Sequence, residues 1–180
     1  MLKSLQINKI TMKSIFCISI SLVFGSIFSH AETKVTLSGV HLCCKGCVNG
    51  VTKAVKNTGA TVKCNAKAGS VAISGAKNAV VAALKGVAKA GYYGKSSDKD
   101  LAITCEGGAE DKKVKSLTLG GAHLCCGKCV KAIARAVDAT DGAKAHTAQK
   151  GSKTFEVTGD FNALAFIRAL HDNGLHAVVK

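Results

Sequence analysis

The chain has 180 residues, with 9 Cys, 19 Gly and no Pro, and its formal charge at pH 7 is +14. Apolar residues make up 47% of it and charged residues 20%, which excludes an intrinsically disordered chain. Average usage would give about nine prolines in this length, so a collagen-like or proline-rich protein is also excluded. Aromatic residues are only 4%, so we expect small cores built from Val, Ala, Leu and Ile.

Residues 1–31 have the pattern of a secretory signal peptide. Three lysines precede an apolar run over 15–28, which at 14 residues is short for a membrane span. Ser29 and Ala31 then provide the small residues of a cleavage site. We therefore expect a periplasmic or secreted chain, with an uncleaved membrane anchor as the alternative. The mature part, 32–180, keeps eight cysteines and, after losing three lysines and no acid, a charge of +11.

The mature chain contains an internal repeat. Residues 39–55 read GVHLCCKGCVNGVTKAV and residues 121–137 read GAHLCCGKCVKAIARAV, with nine of 17 positions identical. His-Leu-Cys-Cys-x-x-Cys occurs in both segments, which chance does not reproduce. The repeat predicts two related units that share a function.

The first repeat alternates between strand-like and helix-like patterns. Alternating residues over 34–39 predict a strand, and Val48, Val51 and Val55 have the i, i+3, i+7 spacing of a helix. Two β-branched stretches and a second helical periodicity follow, and Gly91 is placed to end that helix. The remaining predicted elements are strands over 61–64 and 71–74, a helix over 79–87 and a strand over 92–95.

The second repeat gives the same order of elements. Val130, Ile133 and Val137 repeat the helical spacing, Asp160 is a candidate N-cap for the second helix, and Gly174 is placed to end it. The remaining predicted elements are strands over 143–147, 154–158 and 175–179 and a helix over 164–170.

The order βαββαβ in each repeat predicts an α+β protein with two tandem ferredoxin-like domains after the signal peptide. We assign 32–96 to the first domain, 97–112 to a linker and 113–180 to the second domain. The linker carries three net negative charges, and its segment 101–104 is a candidate edge strand. We expect no stable membrane insertion of the mature chain, because no later segment is long and apolar enough.

Each Cys-x-x-Cys pair falls where a predicted strand passes into a helix. The helix N-terminus stabilises negative charge and lowers the pKa of thiols there, and thiolates are soft ligands that favour Cu(I) and Zn(II). A further cysteine and a histidine precede each pair, which gives four candidate donors per repeat. Adjacent side chains on an extended backbone point to opposite faces, so four donors of one repeat do not easily reach one ion. The candidate metal ligands are Cys44, Cys47, Cys126, Cys129, Cys43, Cys125, His41 and His123.

These repeats resemble heavy-metal-associated domains, which occur in copper chaperones, copper-transporting ATPases and periplasmic mercury-binding proteins. The family loop usually reads Gly-Met-x-Cys-x-x-Cys, and Leu42-Cys43-Cys44-x-x-Cys47 matches it with Leu in the Met position. His41 and His123 stand where the family has Gly. The resemblance implies that the two Cys-x-x-Cys pairs are the metal thiolates, with a linear two-thiolate Cu(I) site as the family default. The metal we favour is Cu(I), with Zn(II) and Hg(II) as further candidates.

The sequence therefore predicts an exported metal-binding protein that captures soft metal ions for buffering or for transfer to a partner. A basic surface is solvated by default and can also steer an acidic metal-transfer partner. We predict no nucleic-acid binding, because stacking aromatics are few and the chain is exported. We also predict no enzymatic activity, because the sequence shows neither a nucleophile–base pairing nor a phosphate-binding loop.

A metal-free interaction module that is disulfide-stabilised or thiol-redox active is the alternative function. A Cys-x-x-Cys pair at a helix start also occurs in thioredoxin-like oxidoreductases, but those have a cis-proline facing it and this chain has no proline. Several other residues stay open. Cys64 and His146 are candidate further donors or disulfide partners, or else surface residues, and Cys105 pairs with Cys64 or stays free. His171 and His176 are interpreted as surface residues, with a supporting role beside the metal loop as the alternative for His176. Tyr92 and Tyr93 are interpreted as packing residues over that loop.

Overall fold

The computed structural model describes residues 32–180, which form two similar units, each with a four-stranded antiparallel sheet and two helices. The predicted signal peptide over 1–31 lies outside the described residues. None of the helices within 32–180 combines the length and the apolar character that crossing a bilayer needs. The prediction of an α+β protein is confirmed, and both sheets are compatible with ferredoxin-like domains.

The first unit buries one face of its sheet beneath two helices. The sheet has the order β2-β3-β1-β4, and the buried positions alternate along β1 (Val35, Leu37) and β3 (Val71, Ile73). Alternation of this kind gives one apolar face that the helices cover. The elements are β1 Thr33–Ser38, α1 Lys45–Val55, β2 Thr61–Asn65, β3 Ser70–Gly75, α2 Lys77–Lys89 and β4 Lys95–Ser96.

The second unit has the equivalent order β6-β7-β5-β8. Its elements are β5 Lys113–Gly120, α3 Gly127–Asp138, β6 Ala143–His146, β7 Thr154–Asn162, α4 Ala163–Asp172 and β8 Val178–Val179. The predicted cap Asp160 is wrong, because β7 runs on past it. The N-cap of α4 is Asn162, whose side-chain oxygen accepts the Ala165 amide at 2.9 Å, while Asp160 forms an ion pair with Lys115 at 3.3 Å.

The segment between the units packs against both of them without forming the predicted edge strand. Lys99–Leu101 is a single 3₁₀ turn, and Leu101 and Ile103 are buried. The Ser96 hydroxyl donates to the Leu101 carbonyl at 2.7 Å, and the Val179 amide donates to the Gly107 carbonyl at 2.8 Å. Burial of these apolar side chains therefore replaces pairing of the backbone with a sheet.

The two units meet through the turns that follow α2 and α4, which we call the inter-repeat joint. Gly91 and Gly174 occupy equivalent places in these turns, with φ of 87° and 74°. The Gly174 carbonyl accepts the amides of His41 at 3.2 Å and Tyr93 at 3.1 Å, and the Gly91 carbonyl accepts the His176 amide at 3.0 Å. Each turn therefore binds to the other repeat.

The joint leaves no space for a side chain on either glycine. A Cβ on Gly91 would collide with the Gly121 carbonyl oxygen and the His123 amide nitrogen, and one on Gly174 would collide with the Gly39 carbonyl oxygen and the adjacent amide nitrogen of residue 41. Those segments lead directly into the two cysteine loops. The joint therefore fixes the position of each loop relative to the opposite repeat.

Candidate metal centre

The cysteines of each Cys-x-x-Cys pair lie at the start of a helix, as predicted. Cys44 is the N-cap residue of α1 and Cys126 that of α3, both with extended backbone. Cys47 and Cys129 lie in the first helical turns and are fully buried. Neither helix has an acidic residue in its first turn, so the positive end of each helix dipole is left free for the thiolates.

All six thiols of the two Cys-Cys-x-x-Cys loops meet beside the inter-repeat joint. Eight pairs of Sγ atoms lie 3.5 to 3.9 Å apart, and four of these pairs connect one repeat with the other. Sulfurs at this separation are free thiols, since a disulfide bond is only about 2.05 Å long. The pairs between repeats are Cys43–Cys126, Cys43–Cys129, Cys44–Cys125 and Cys47–Cys125.

The closest sulfurs form two triangles, and each triangle combines both repeats. Cys44 and Cys47 form one with Cys125, with sides of 3.5 to 3.7 Å. The other is formed by Cys43, Cys126 and Cys129, with sides of 3.5 to 3.9 Å. The centre of such a triangle lies about 2.1 Å from each sulfur, close to the Zn–S bond length of about 2.3 Å. Each Cys-x-x-Cys pair is thus completed by the first cysteine of the opposite loop.

This arrangement explains the adjacent cysteines of each loop. Cys44 lies 3.7 Å from its own Cys-x-x-Cys partner Cys47, while Cys43 lies 3.6 Å from Cys47 and also reaches Cys126 of the other repeat at 3.5 Å. Cys43, Cys44 and Cys47 form a group of three sulfurs within the first loop, whereas His41 lies with Cys43 and Cys129. The sequence did not predict the contact between the two loops, which depends on how the units dock.

The two loop histidines lie half-buried beside the sulfurs, and their Nε2 atoms are buried. The Nε2 atoms of His41 and His123 have no hydrogen-bond partner among the described residues. Burial lowers the pKa of both rings, and the charge of Arg135 lowers that of His41 further. A ring nitrogen of His41 lies within 4.8 Å of the Cys43 and Cys129 sulfurs, whereas His123 stacks on Tyr92 with 4.7 Å between ring centroids. Both imidazoles are therefore neutral, and His41 is placed to donate to a metal.

The cap thiols and the first cysteines of the two loops have pKa values shifted in opposite directions. Hydrogen bonding to backbone amides at the helix start, first that of Cys129, lowers the pKa of Cys126 to about 6. The equivalent amide of α1 is the main cause that lowers the pKa of Cys44. Burial is the main cause that raises the pKa of Cys43 and Cys125. The two cap thiols therefore ionise first and offer the first thiolates to an incoming cation.

Tyr92 supports the first loop, in agreement with its predicted packing role. Its ring is fully buried, and its hydroxyl donates to the Cys47 carbonyl at 3.0 Å. Gly50 of α1 provides the necessary space, because a Cβ there would collide with the tyrosine hydroxyl. This hydrogen bond has no signal in the sequence, because residues 47 and 92 are brought together only by the fold.

Within residues 32–180, the remaining cysteines and histidines lie apart from the six thiols. His146 accepts a hydrogen bond from the Ala148 amide at 3.2 Å, and Cys64 lies half-buried on β2.

The surface interpretation of His176 is wrong, because only 4% of this residue is exposed. Its ring lies 3.2 Å from the Cys105 sulfur and 2.9 Å from His171. Burial, and then the adjacent imidazole of residue 176, lowers the pKa of His171 to about 4. Cys105 therefore contacts a histidine instead of Cys64.

Neither the comparison with known protein families nor that with curated proteins gave a match for this chain. The chemistry of the site is defined by its donors, which are six clustered thiols and a neutral imidazole. Thiolates in this number are soft ligands suited to thiophilic metal ions. The cysteine group can therefore bind a metal.

Proposed function

We propose that the protein is exported and captures soft metal ions, Cu(I) foremost, through the thiols of its two Cys-Cys-x-x-Cys loops. The observation that carries this proposal is the meeting of six free thiols at 3.5 to 3.9 Å. Bringing six thiols together has little structural benefit without a ligand, because each is only a weak hydrogen-bond donor and acceptor. Coordination of a metal ion explains why the six thiols lie together.

Cu(I) fits the sulfur triangles best. A three-sulfur set with a metal near its centre suits a soft monovalent ion that accepts three thiolates. Zn(II) prefers four donors in a tetrahedron, so it needs a further ligand such as His41 at the Cys43 and Cys129 side. The resemblance to heavy-metal-associated domains supports the same class of ion, and Hg(II) remains a candidate on that ground.

Buffering or transfer of the ion is the proposed task, and catalysis is not part of it. The cap thiols Cys44 and Cys126 are partly exposed and have the lowered pKa values, so they are suited to exchange with an incoming thiolate. The formal charge of +11 over residues 32–180 favours an acidic transfer partner. The compartment is the periplasm or the exterior of the cell, in line with the predicted signal peptide.

Metal content and free thiols of the protein, isolated anaerobically from an expressing host, test this proposal together. We expect a soft metal by elemental analysis and alkylatable thiols after its removal. The Cys44→Ser/Cys126→Ser variant should lose the metal, whereas the matched Cys64→Ser/Cys105→Ser variant should keep it. Disulfides throughout, with no metal and no uptake of Cu(I) or Zn(II) after reduction, would contradict the proposal and favour the disulfide-stabilised module.

A further inference from the structure

The six sulfurs have the connectivity of an octahedron. Besides the eight pairs at 3.5 to 3.9 Å, four further pairs belong to groups whose ligand atoms all lie within 4.8 Å. Each sulfur then has four sulfur neighbours, as each corner of an octahedron has. The four further pairs are Cys43–Cys44, Cys125–Cys126, Cys44–Cys126 and Cys47–Cys129.

The faces of this octahedron are three-thiol sites that share their corners. Four alternate faces use every sulfur twice, so four metal ions in three-sulfur coordination need all six thiolates as bridges. A thiolate sulfur has the lone pairs to bridge two soft ions. One such set of faces is Cys43-Cys44-Cys47, Cys44-Cys125-Cys126, Cys47-Cys125-Cys129 and Cys43-Cys126-Cys129.

We propose that the six thiols bind four Cu(I) ions as one thiolate-bridged cluster shared by the two repeats. This inference rests on the proposed function and defines the form in which the metal is held. It differs from two independent sites, one on each Cys-x-x-Cys pair, because three of the four faces take thiols from both repeats and the fourth takes all three cysteines of the first loop. Neither repeat alone provides the cluster.

The electrostatics of the loops suit such a cluster. Four Cu(I) ions and six thiols give a cluster of net charge −2 and release six protons, so charge and atoms balance without any redox step. The N-termini of α1 and α3 both face the sulfurs, and neither has an acidic residue in its first turn. Lys45 and Lys128 lie in those turns and add positive charge beside the cluster. A net negative cluster is therefore stabilised from both repeats.

Anaerobic titration of the reduced protein with Cu(I) alone, followed by native mass spectrometry, tests the proposal. We expect cooperative formation of a species with four Cu(I), with few species of one to three ions. X-ray absorption of that species should show three-sulfur coordination and a Cu–Cu shell. One or two ions per chain without a Cu–Cu shell would overturn the cluster while leaving metal capture intact. No retained Cu(I) would overturn both the cluster and the proposed function.

Single substitutions of the first cysteines separate a cluster from two independent sites. Cys43→Ser or Cys125→Ser leaves both Cys-x-x-Cys pairs complete, so independent sites would keep their full count of Cu(I). The cluster predicts loss of the four-ion species and of cooperativity in either variant. Cys64→Ser is the matched control and should keep four ions. The number of Cu(I) ions bound by the wild type is measured in the same experiment and tests the cluster by itself. A variant that fails to fold therefore leaves that test intact.

Discussion

The two cysteine loops have the same sulfur arrangement but different structural supports. Exchanging the loops reproduces every close sulfur pair to within 0.3 Å. The first loop is held by the hydroxyl of Tyr92, for which Gly50 leaves space. The equivalent positions of the second repeat are Leu175 and Ala132, which provide only apolar packing. The geometry of the sulfurs is therefore the property that both repeats maintain, while the packing around them differs.

The largest expected effect comes from the feature that both repeats share, the glycine of the inter-repeat joint. Gly91→Ala should destabilise the protein by about 1–3 kcal/mol beyond the strain of its positive φ, because its Cβ collides with backbone of the opposite repeat. Urea unfolding followed by circular dichroism measures this. Gly108→Ala is the control, since Gly108 has a φ of 76° with nothing within 4 Å of its Cβ. Equal costs for the two variants would contradict the role of the joint.

The next effect is specific to the first repeat. Tyr92→Phe removes the buried hydrogen bond from the tyrosine hydroxyl to the Cys47 carbonyl, so we expect a loss of about 1 kcal/mol in the free energy of unfolding. Tyr93→Phe is the matched control, because the contact of that ring is stacking on His171 at 3.9 Å, which phenylalanine retains. If both variants unfold at the same urea concentration, the hydroxyl does not support the loop.

The smallest effect concerns the cap thiols in the metal-free, reduced protein. With its pKa lowered to about 6, Cys126 is mostly thiolate at pH 7, but its lower intrinsic nucleophilicity offsets part of that gain. We therefore expect it to react with iodoacetamide only about threefold faster than an unperturbed thiol. Its rate should fall as the pH drops below 6, where the thiolate is protonated. Burial raises the pKa of Cys125, so this thiol should react far more slowly at pH 7.

Pulsed alkylation with peptide mass mapping measures these rates side by side. Cys44 shares the cap position, and its pKa is also lowered, so it should behave like Cys126 and be alkylated faster than Cys43. Faster labelling of Cys125 than of Cys126 would show that the helix N-termini do not set the reactivity of the loops.

Elements whose patterns are local could be predicted from the sequence. The valines of α1, the alternation over β1 and the β-branched stretch of β3 predicted the correct structures, because these signals depend on residues close together in the chain. Asp160 was wrong as a cap, because the length of β7 is set by pairing with β5. The strand expected over 101–104 failed because Leu101 and Ile103 are buried by tertiary packing instead.

The candidate site was predictable in its residues but not in its arrangement. The Cys-Cys-x-x-Cys pattern identifies the six cysteines from spacing alone. The six cysteines form one group because Gly91 and Gly174 dock against the opposite repeat, in contacts between residues 30 or more positions apart. The burial of His176 against Cys105 depends on the same kind of long-range contact.

Removal of one complete loop tests most directly whether the two repeats form a single metal site. The Cys43→Ser/Cys44→Ser/Cys47→Ser variant retains every cysteine of the second repeat, and circular dichroism checks that it folds. Its bound Cu(I) is counted after anaerobic loading and compared with that of the wild type. Our account predicts that less than half of the wild-type Cu(I) remains, because each sulfur triangle has lost at least one corner. Retention of half, at unchanged affinity, would show that the repeats bind metal independently and would contradict the shared site.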